Sequence, residues 1–171
     1  RMTMAGKPAA GNSLIYASGL HNVQGFAWDV TKQMYAIDGT ADQDDLIPIK
    51  AGANYGWAPS ATPNSSGAVP PIQTFPAADS GCAGIAAIDN LVTTACLSGQ
   101  RIWLMQVTGG AVFGSPQPVL TKQYGRLRTI VASPDGSLWI TTSNTDGHGH
   151  PSKDDDQILR VVVADEGAGK T

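Results

Sequence analysis

The stretch Leu127-Arg128-Thr129-Ile130-Val131-Ala132-Ser133-Pro134-Asp135-Gly136-Ser137-Leu138-Trp139-Ile140-Thr141-Thr142 decides the fold. A short apolar strand runs into the polar turn Ser133-Pro134-Asp135-Gly136 and out into a second strand rich in β-branched and aromatic residues, the pattern of a tight hairpin. The same unit occurs twice more. One copy is Val23-Gln24-Gly25-Phe26-Ala27-Trp28-Asp29-Val30-Thr31-Lys32-Gln33-Met34-Tyr35-Ala36-Ile37, and the other lies between Cys82 and Cys96 around an Asp89-Asn90 turn. A further strand candidate follows each, at residues 46–49, 101–107 and 157–163. In residues 101–107 both alternating faces are apolar, as expected of a strand packed between two neighbouring sheets.

Equivalent positions Phe26, Ile85 and Ile130 are about 59 and 45 residues apart. That is the scale of a four-stranded propeller blade plus an insertion. Residues 58–79, rich in Pro, Ser and Ala, read as an irregular loop that lengthens the first interval. The fold expected is all-β: a β-propeller of which this chain supplies about three blades, over residues 14–57, 80–121 and 124–164. An immunoglobulin-like sandwich would not need the repeat. Three blades cannot close a ring, so another segment carrying the first half of the propeller is the expected partner. Trp28, Trp57, Trp103 and Trp139 read as core or blade-packing residues.

Composition agrees. Twenty Gly and eleven Pro among 171 residues imply many tight turns, and 42% apolar with 15% charged residues describes an ordinary globular protein. A net charge of −3 argues against a nucleic-acid partner. No apolar run is long enough to span a membrane as a helix. The opening Arg1-Met2-Thr3-Met4 carries no signal peptide and reads as the end of a strand, so residues upstream are expected to have been removed. Folding the second hairpin brings Cys82 and Cys96 side by side, within reach of a disulfide. The other reading is a pair of buried free thiols. The disulfide is preferred, and with it an extracytoplasmic location.

Three motifs in order carry a resemblance: Leu20-His21-Asn22-Val23-Gln24-Gly25-Phe26-Ala27-Trp28; Asp42-Gln43-Asp44-Asp45-Leu46 with Gly52-Ala53-Asn54-Tyr55-Gly56-Trp57; and Gly125-Arg126-Leu127-Arg128 with Pro134-Asp135-Gly136-Ser137-Leu138-Trp139. Together they resemble the PQQ-dependent glucose/sorbosone dehydrogenases, and specifically the C-terminal half of that six-bladed propeller. The resemblance implies an aldose- or sorbosone-type sugar dehydrogenase with PQQ over the central channel. It also implies that the catalytic His, in a D-H-x-G motif of the first half, lies outside this segment. A secreted, periplasmic or lipid-anchored envelope protein would fit, with any anchor outside the segment. The alternative is a non-catalytic extracytoplasmic propeller that binds a small-molecule ligand or a protein partner.

The resemblance implies cofactor contacts at Asn22, Arg126, Arg128 and the position of His21. Arg126 and Arg128 alternate on a strand, so both leave one face, and guanidinium forks suit the carboxylates of a tricarboxylate quinone. The family usually has Arg where this chain has His21, and a cofactor-binding Lys where it has Ser98, so two cations are lost. Asp38, Asp42, Asp44 and Asp45 gather oxygen donors of the kind Ca²⁺ takes, although a solvated acidic turn would look the same. The resemblance implies a calcium site using Gly39, Thr40 and Tyr55 carbonyls with carboxylates at Asp44 and Asp45, the family usually having Glu at the last. His148-Gly149-His150 reads as a surface loop, and Asp154-Asp155-Asp156 as a solvated strand lead-in.

Overall fold

The computed structural model describes residues 2–8, 14–57 and 68–163. Among these residues eleven strands form three antiparallel sheets, each a meander in chain order. Sheet one holds β1 (Val23–Trp28), β2 (Met34–Gly39), β3 (Gln43–Ile49) and β4 (Gln73–Pro76). Sheet two holds β5 (Cys82–Ile88), β6 (Leu91–Cys96), β7 (Arg101–Thr108) and β8 (Ala111–Val119). Sheet three holds β9 (Leu127–Ala132), β10 (Ser137–Thr142) and β11 (Ile158–Val162). The three repeated hairpins are therefore β1–β2, β5–β6 and β9–β10.

Strand alternation builds two interlayer cores. Tyr35, Ile37, Leu46 and Phe75 of sheet one pack on Cys82, Ile85, Val92, Met105 and Val107 of sheet two. The opposite face of sheet two, with Ala86, Ala95 and Ile102, packs on Leu127, Ile130, Leu138 and Ile140 of sheet three. β7 serves both layers, Met105 facing one and Ile102 the other, as its two apolar faces predict. The leading strands β1, β5 and β9 pack side by side along one axis. Gly84 makes that approach possible: a Cβ there would sit 2.7 Å from the Ile130 amide nitrogen and 2.8 Å from the Arg128 carbonyl.

Two strands carry sequence signals of loops. β4 falls inside the stretch expected to be irregular, whose residues 58–67 lie outside the described residues, and it pairs with β3 through Asp44↔Phe75 and Asp45↔Thr74. A single 3₁₀ turn, Ala77–Asp79, follows it. β8 contains Gly114, Pro116 and Pro118. Both are outermost strands, where a proline's missing N–H faces no ladder partner.

The two outer faces remain apolar and open. On sheet one, Phe26 and Trp28 are 58% and 54% exposed and line a cavity of about 650 Å³ with Leu14, Tyr16 and Met34. On sheet three, Val131, Trp139 and Ile158 are exposed. The four tryptophans, expected as core or blade-packing residues, divide between those places. Trp103 stacks on Phe75 and donates to the Asp79 carbonyl, whereas Trp28 and Trp139 point out of the two outermost sheets. Trp57 is 43% exposed with the His21 ring edge-on against it.

Candidate functional site

One hydrogen bond repeats in all three sheets and defines a common end. The Gly39, Leu97 and Ser143 amides donate to the carbonyls of Asn22, Gly81 and Arg126, at 3.1, 2.8 and 2.9 Å. Asn22, Gly81 and Arg126 are thus equivalent positions, each just ahead of an axial strand. The cofactor residues expected from sequence, Asn22 in sheet one and Arg126 with Arg128 in sheet three, stand at the same end of the axis.

Arg126 and Arg128 do converge. Their Nη2 atoms donate to the same oxygen, Oδ2 of Asp146, at 3.3 and 3.0 Å. Arg126 Nε donates to the Ser143 carbonyl (3.1 Å) and Arg128 Nε to the Ser143 hydroxyl (3.0 Å). The Nε–Nη2 edge of each guanidinium is engaged by protein, which leaves the Nη1 edges for a ligand. Hydrogen bonds hold the Asp146 carboxyl well below the usual carboxylate range, led by the His148 amide and joined by Ser143 and Arg126. It stays ionised.

His21 and Asn22 are fixed through their backbone. Both amides donate to Asp38, at 2.9 Å to Oδ2 and 2.5 Å to Oδ1. The His21 ring nitrogen Nδ1 meets the Gly39 carbonyl, so one of its two ring nitrogens is engaged locally and the ring presents no fork where the family has a guanidinium. Asn22 lines a cavity of about 360 Å³ with Gly39, Thr40 and Asp44. Ser98 packs on Gly81, where a Cβ would sit 2.7 Å from its hydroxyl.

The expected calcium donors divide. Asp44 and Asp45 are consecutive on β3, so their side chains leave opposite faces. Asp44 is buried, and its Oδ2 accepts the Cys82 amide at 2.6 Å across the gap between sheets. Burial pushes its pKa up. Asp45 lies on the other side, in a cavity of about 480 Å³ lined also by His21, Thr40, Tyr55 and Trp57. Its carboxylate accepts from Gln43 Nε2 (2.9 and 3.1 Å) and Thr74 Oγ1 (2.7 Å). Thr40, Asp45 and Tyr55 share one cavity, with Gly39 reached through His21, an all-oxygen set chemically suited to a hard cation. Asp44 lines the adjoining cavity with Gly39 and Thr40, its Oδ1 2.8 Å from where a Gly39 Cβ would sit. Among the described residues no group of three or more His, Cys, Asp or Glu side chains is arranged to hold a metal.

Two sets of residues escaped the sequence reading. Asp146 is the acid in the turn after β10, the strand paired with the arginine-bearing β9, and that placement was the available signal. Asp155 and Asp156 are more than a solvated lead-in. Asp156 accepts from the Asn144 amide (2.6 Å) and the Thr142 and Thr145 hydroxyls (3.2 and 2.5 Å). Asp155 accepts from Asn144 Nδ2 (3.0 Å) and the Ser152 amide (2.6 Å). Hydrogen bonds, from the Thr145 hydroxyl first for Asp156 and the Ser152 amide first for Asp155, lower both pKa values. His148 and His150 lie in the same loop, as expected.

Three sheets of antiparallel meanders, packed face to face with their leading strands along one axis, make this chain three blades of a β-propeller. Residues 2–80 match the family model Glucose / Sorbosone dehydrogenase. The PQQ-bound aldose sugar dehydrogenase of Streptomyces coelicolor is 40% identical, with a TM-score of 0.82 over 94% of this chain and 50% of its own. A putative oxidoreductase of Thermus thermophilus described as a glucose dehydrogenase is 29% identical, with a TM-score of 0.76 over 91% of this chain and 52% of its own. The soluble aldose sugar dehydrogenase of Escherichia coli, solved in its apo form, is 22% identical with a TM-score of 0.68, over 81% and 49%, and bears on the fold alone. This chain spans about half the length of the structures it matches. No curated protein matches it significantly. No helix among the described residues is long and apolar enough to cross a membrane, and Cys82 and Cys96 form a disulfide.

Proposed function

We propose that this chain is part of a PQQ-dependent sugar dehydrogenase. The observation that carries the proposal is the convergence of Arg126 and Arg128 on Asp146 and Ser143 through Nε and Nη2, with no protein partner at Nη1 among the described residues, at the end of the axis that also bears Asn22. Paired guanidiniums are matched to carboxylates, and the Streptomyces coelicolor relative is PQQ-bound. Arg126 and Arg128 would hold quinone carboxylates, and the Asn22 side-chain carboxamide, on a backbone amide that Asp38 holds, would supply a neutral donor. When bound, PQQ would supply a two-electron acceptor for the hydride that leaves the carbon bearing the oxidised sugar hydroxyl. Thr40, Asp45, Tyr55 and Gly39 are the residues for Ca²⁺, with Asp44 left to tie sheet one to sheet two. The apolar outer faces, bearing Phe26 and Trp28 on one side and Trp139 on the other, suit cover by further blades of the same protein. The disulfide favours an extracytoplasmic location.

The test is a PQQ titration of the full-length protein, with and without Ca²⁺. Saturable binding is expected, weakened at least tenfold by Arg126→Ala or Arg128→Ala, in keeping with the loss of a charge-assisted contact. Asp45→Ala should remove the Ca²⁺ dependence and Asp44→Ala should not. A second reading, a non-catalytic ligand-binding propeller, is favoured by the ring of His21 engaging Gly39 where the family has a cation. It prevails if the full-length protein binds no PQQ at any Ca²⁺ concentration.

A further inference from the structure

We propose that Asp146 is a positioning residue that assembles the arginine pair for its ligand. The inference rests on the PQQ reading above. Two guanidiniums brought close together repel, yet here both Nη2 atoms meet a single oxygen, Asp146 Oδ2. The same oxygen accepts the Ser143 hydroxyl at 3.0 Å, and Ser143 in turn receives both Nε atoms, on its carbonyl and its hydroxyl. Asp146 and Ser143 thus form one clasp across the inner edges of both forks. With those edges tied, the Nη1 groups are the donors left for the ligand.

A clasp positions only if it is itself held. The other oxygen, Oδ1, accepts the His148 amide at 3.0 Å, so both oxygens of Asp146 are committed. The preceding residues are tied from the far side. Asp156 accepts the Asn144 amide and the Thr145 hydroxyl, while the buried Asn144 side chain reaches the Tyr124 carbonyl, the Arg126 amide and Asp155. The turn carrying Asp146 is therefore anchored to the lead-ins of both β9 and β11. Arg126 is well covered, its side chain 15% exposed, whereas Arg128 is 47% exposed and has the more freedom to lose. Arg128 is the residue that most needs the clasp.

Asp146 also adds a negative charge to a site meant for an anion, so its two effects oppose. Positioning wins because the ligand meets the Nη1 edges, with the guanidiniums standing between it and the carboxylate. Asp146→Asn separates the effects. It keeps the shape and removes the charge, but an amide cannot accept from the arginines on one side and from the His148 amide on the other.

The experiment is a PQQ titration of full-length wild type, Asp146→Ala, Asp146→Asn and Asp146→Glu, followed through the quinone absorbance, with the melting of each PQQ-free protein measured alongside. Roughly tenfold weaker binding is expected for the Ala and Asn variants, the order of one lost charge-assisted contact, with partial recovery in Glu. Unchanged or tighter binding in Asp146→Asn would overturn the proposal and make Asp146 a competitor for the arginines. Weaker binding that follows loss of melting temperature across all variants, without recovery in Glu, would reduce it to a structural residue. Wild type that binds no PQQ sinks the functional reading itself, whereas wild-type binding with indifferent variants sinks this inference alone.

Discussion

Replacing both Cys82 and Cys96 by Ala perturbs the best-buried covalent feature of the chain. The two residues are Cα partners across the open end of the β5–β6 hairpin, 14 residues apart in sequence, and are 1% and 0% exposed. A cross-link closing a loop of that size removes conformational freedom from the unfolded chain worth about 3 kcal/mol at 25 °C. Both sulfurs also belong to the core between sheets one and two, and truncating each side chain adds about 1 kcal/mol. The double variant of the full-length protein should lose about 4–5 kcal/mol. With a urea slope near 3 kcal/mol/M, the midpoint falls by about 1.5 M. Reducing the wild type in denaturant before refolding isolates the cross-link and should account for about two-thirds of the loss. A midpoint shift below about 0.3 M would refute the magnitude. Quantitative alkylation of both thiols in unreduced, denatured protein would refute the bond.

Asp29 sets a pH signature. Burial raises its pKa, but donors from Thr31, Gln33 and Tyr35 outweigh that and leave it below the ordinary value. A carboxyl lowered on folding contributes stability above about pH 4 that is lost as pH falls through the folded value. The stability deficit of Asp29→Asn should therefore be largest near neutrality and shrink in acid. An equal deficit at about pH 3 and about pH 7 contradicts this. In the full-length protein Trp28 and Trp139 should be covered, with acrylamide quenching well below that of free tryptophan and with Trp139→Glu destabilising. Free quenching of both would show that the outer faces stay open.

Period-two alternation made the hairpins legible because a residue's place on a strand determines which face it joins. Tyr35 and Ile37, or Ile102 and Met105, could be sorted in advance for that reason. The same rule separates Asp44 from Asp45, yet clustering along the chain made them look like one donor set. Edge strands β4 and β8 were hidden because Pro and Gly, the usual marks of a loop, are tolerated where no ladder partner is needed. The arginine pair was readable as a pair. Its occupant was not, because Asp146 reaches the guanidiniums from the turn beyond the neighbouring strand.

By itself, then, the sequence determined the all-β class and the threefold repeat, preferred a Cys82–Cys96 disulfide over free thiols, and through its family resemblance pointed to Asn22, Arg126 and Arg128. The first three are local matters of periodicity, turn chemistry and residue type, settled within short stretches of chain. Only the tertiary structure decided that Asn22, Gly81 and Arg126 stand at one end of a common axis, that Asp44 bridges two sheets, and that the His21 ring engages Gly39. Those outcomes depend on how sheets stack and how closely β5 approaches β9 at Gly84, distances between segments that no spacing along the chain encodes.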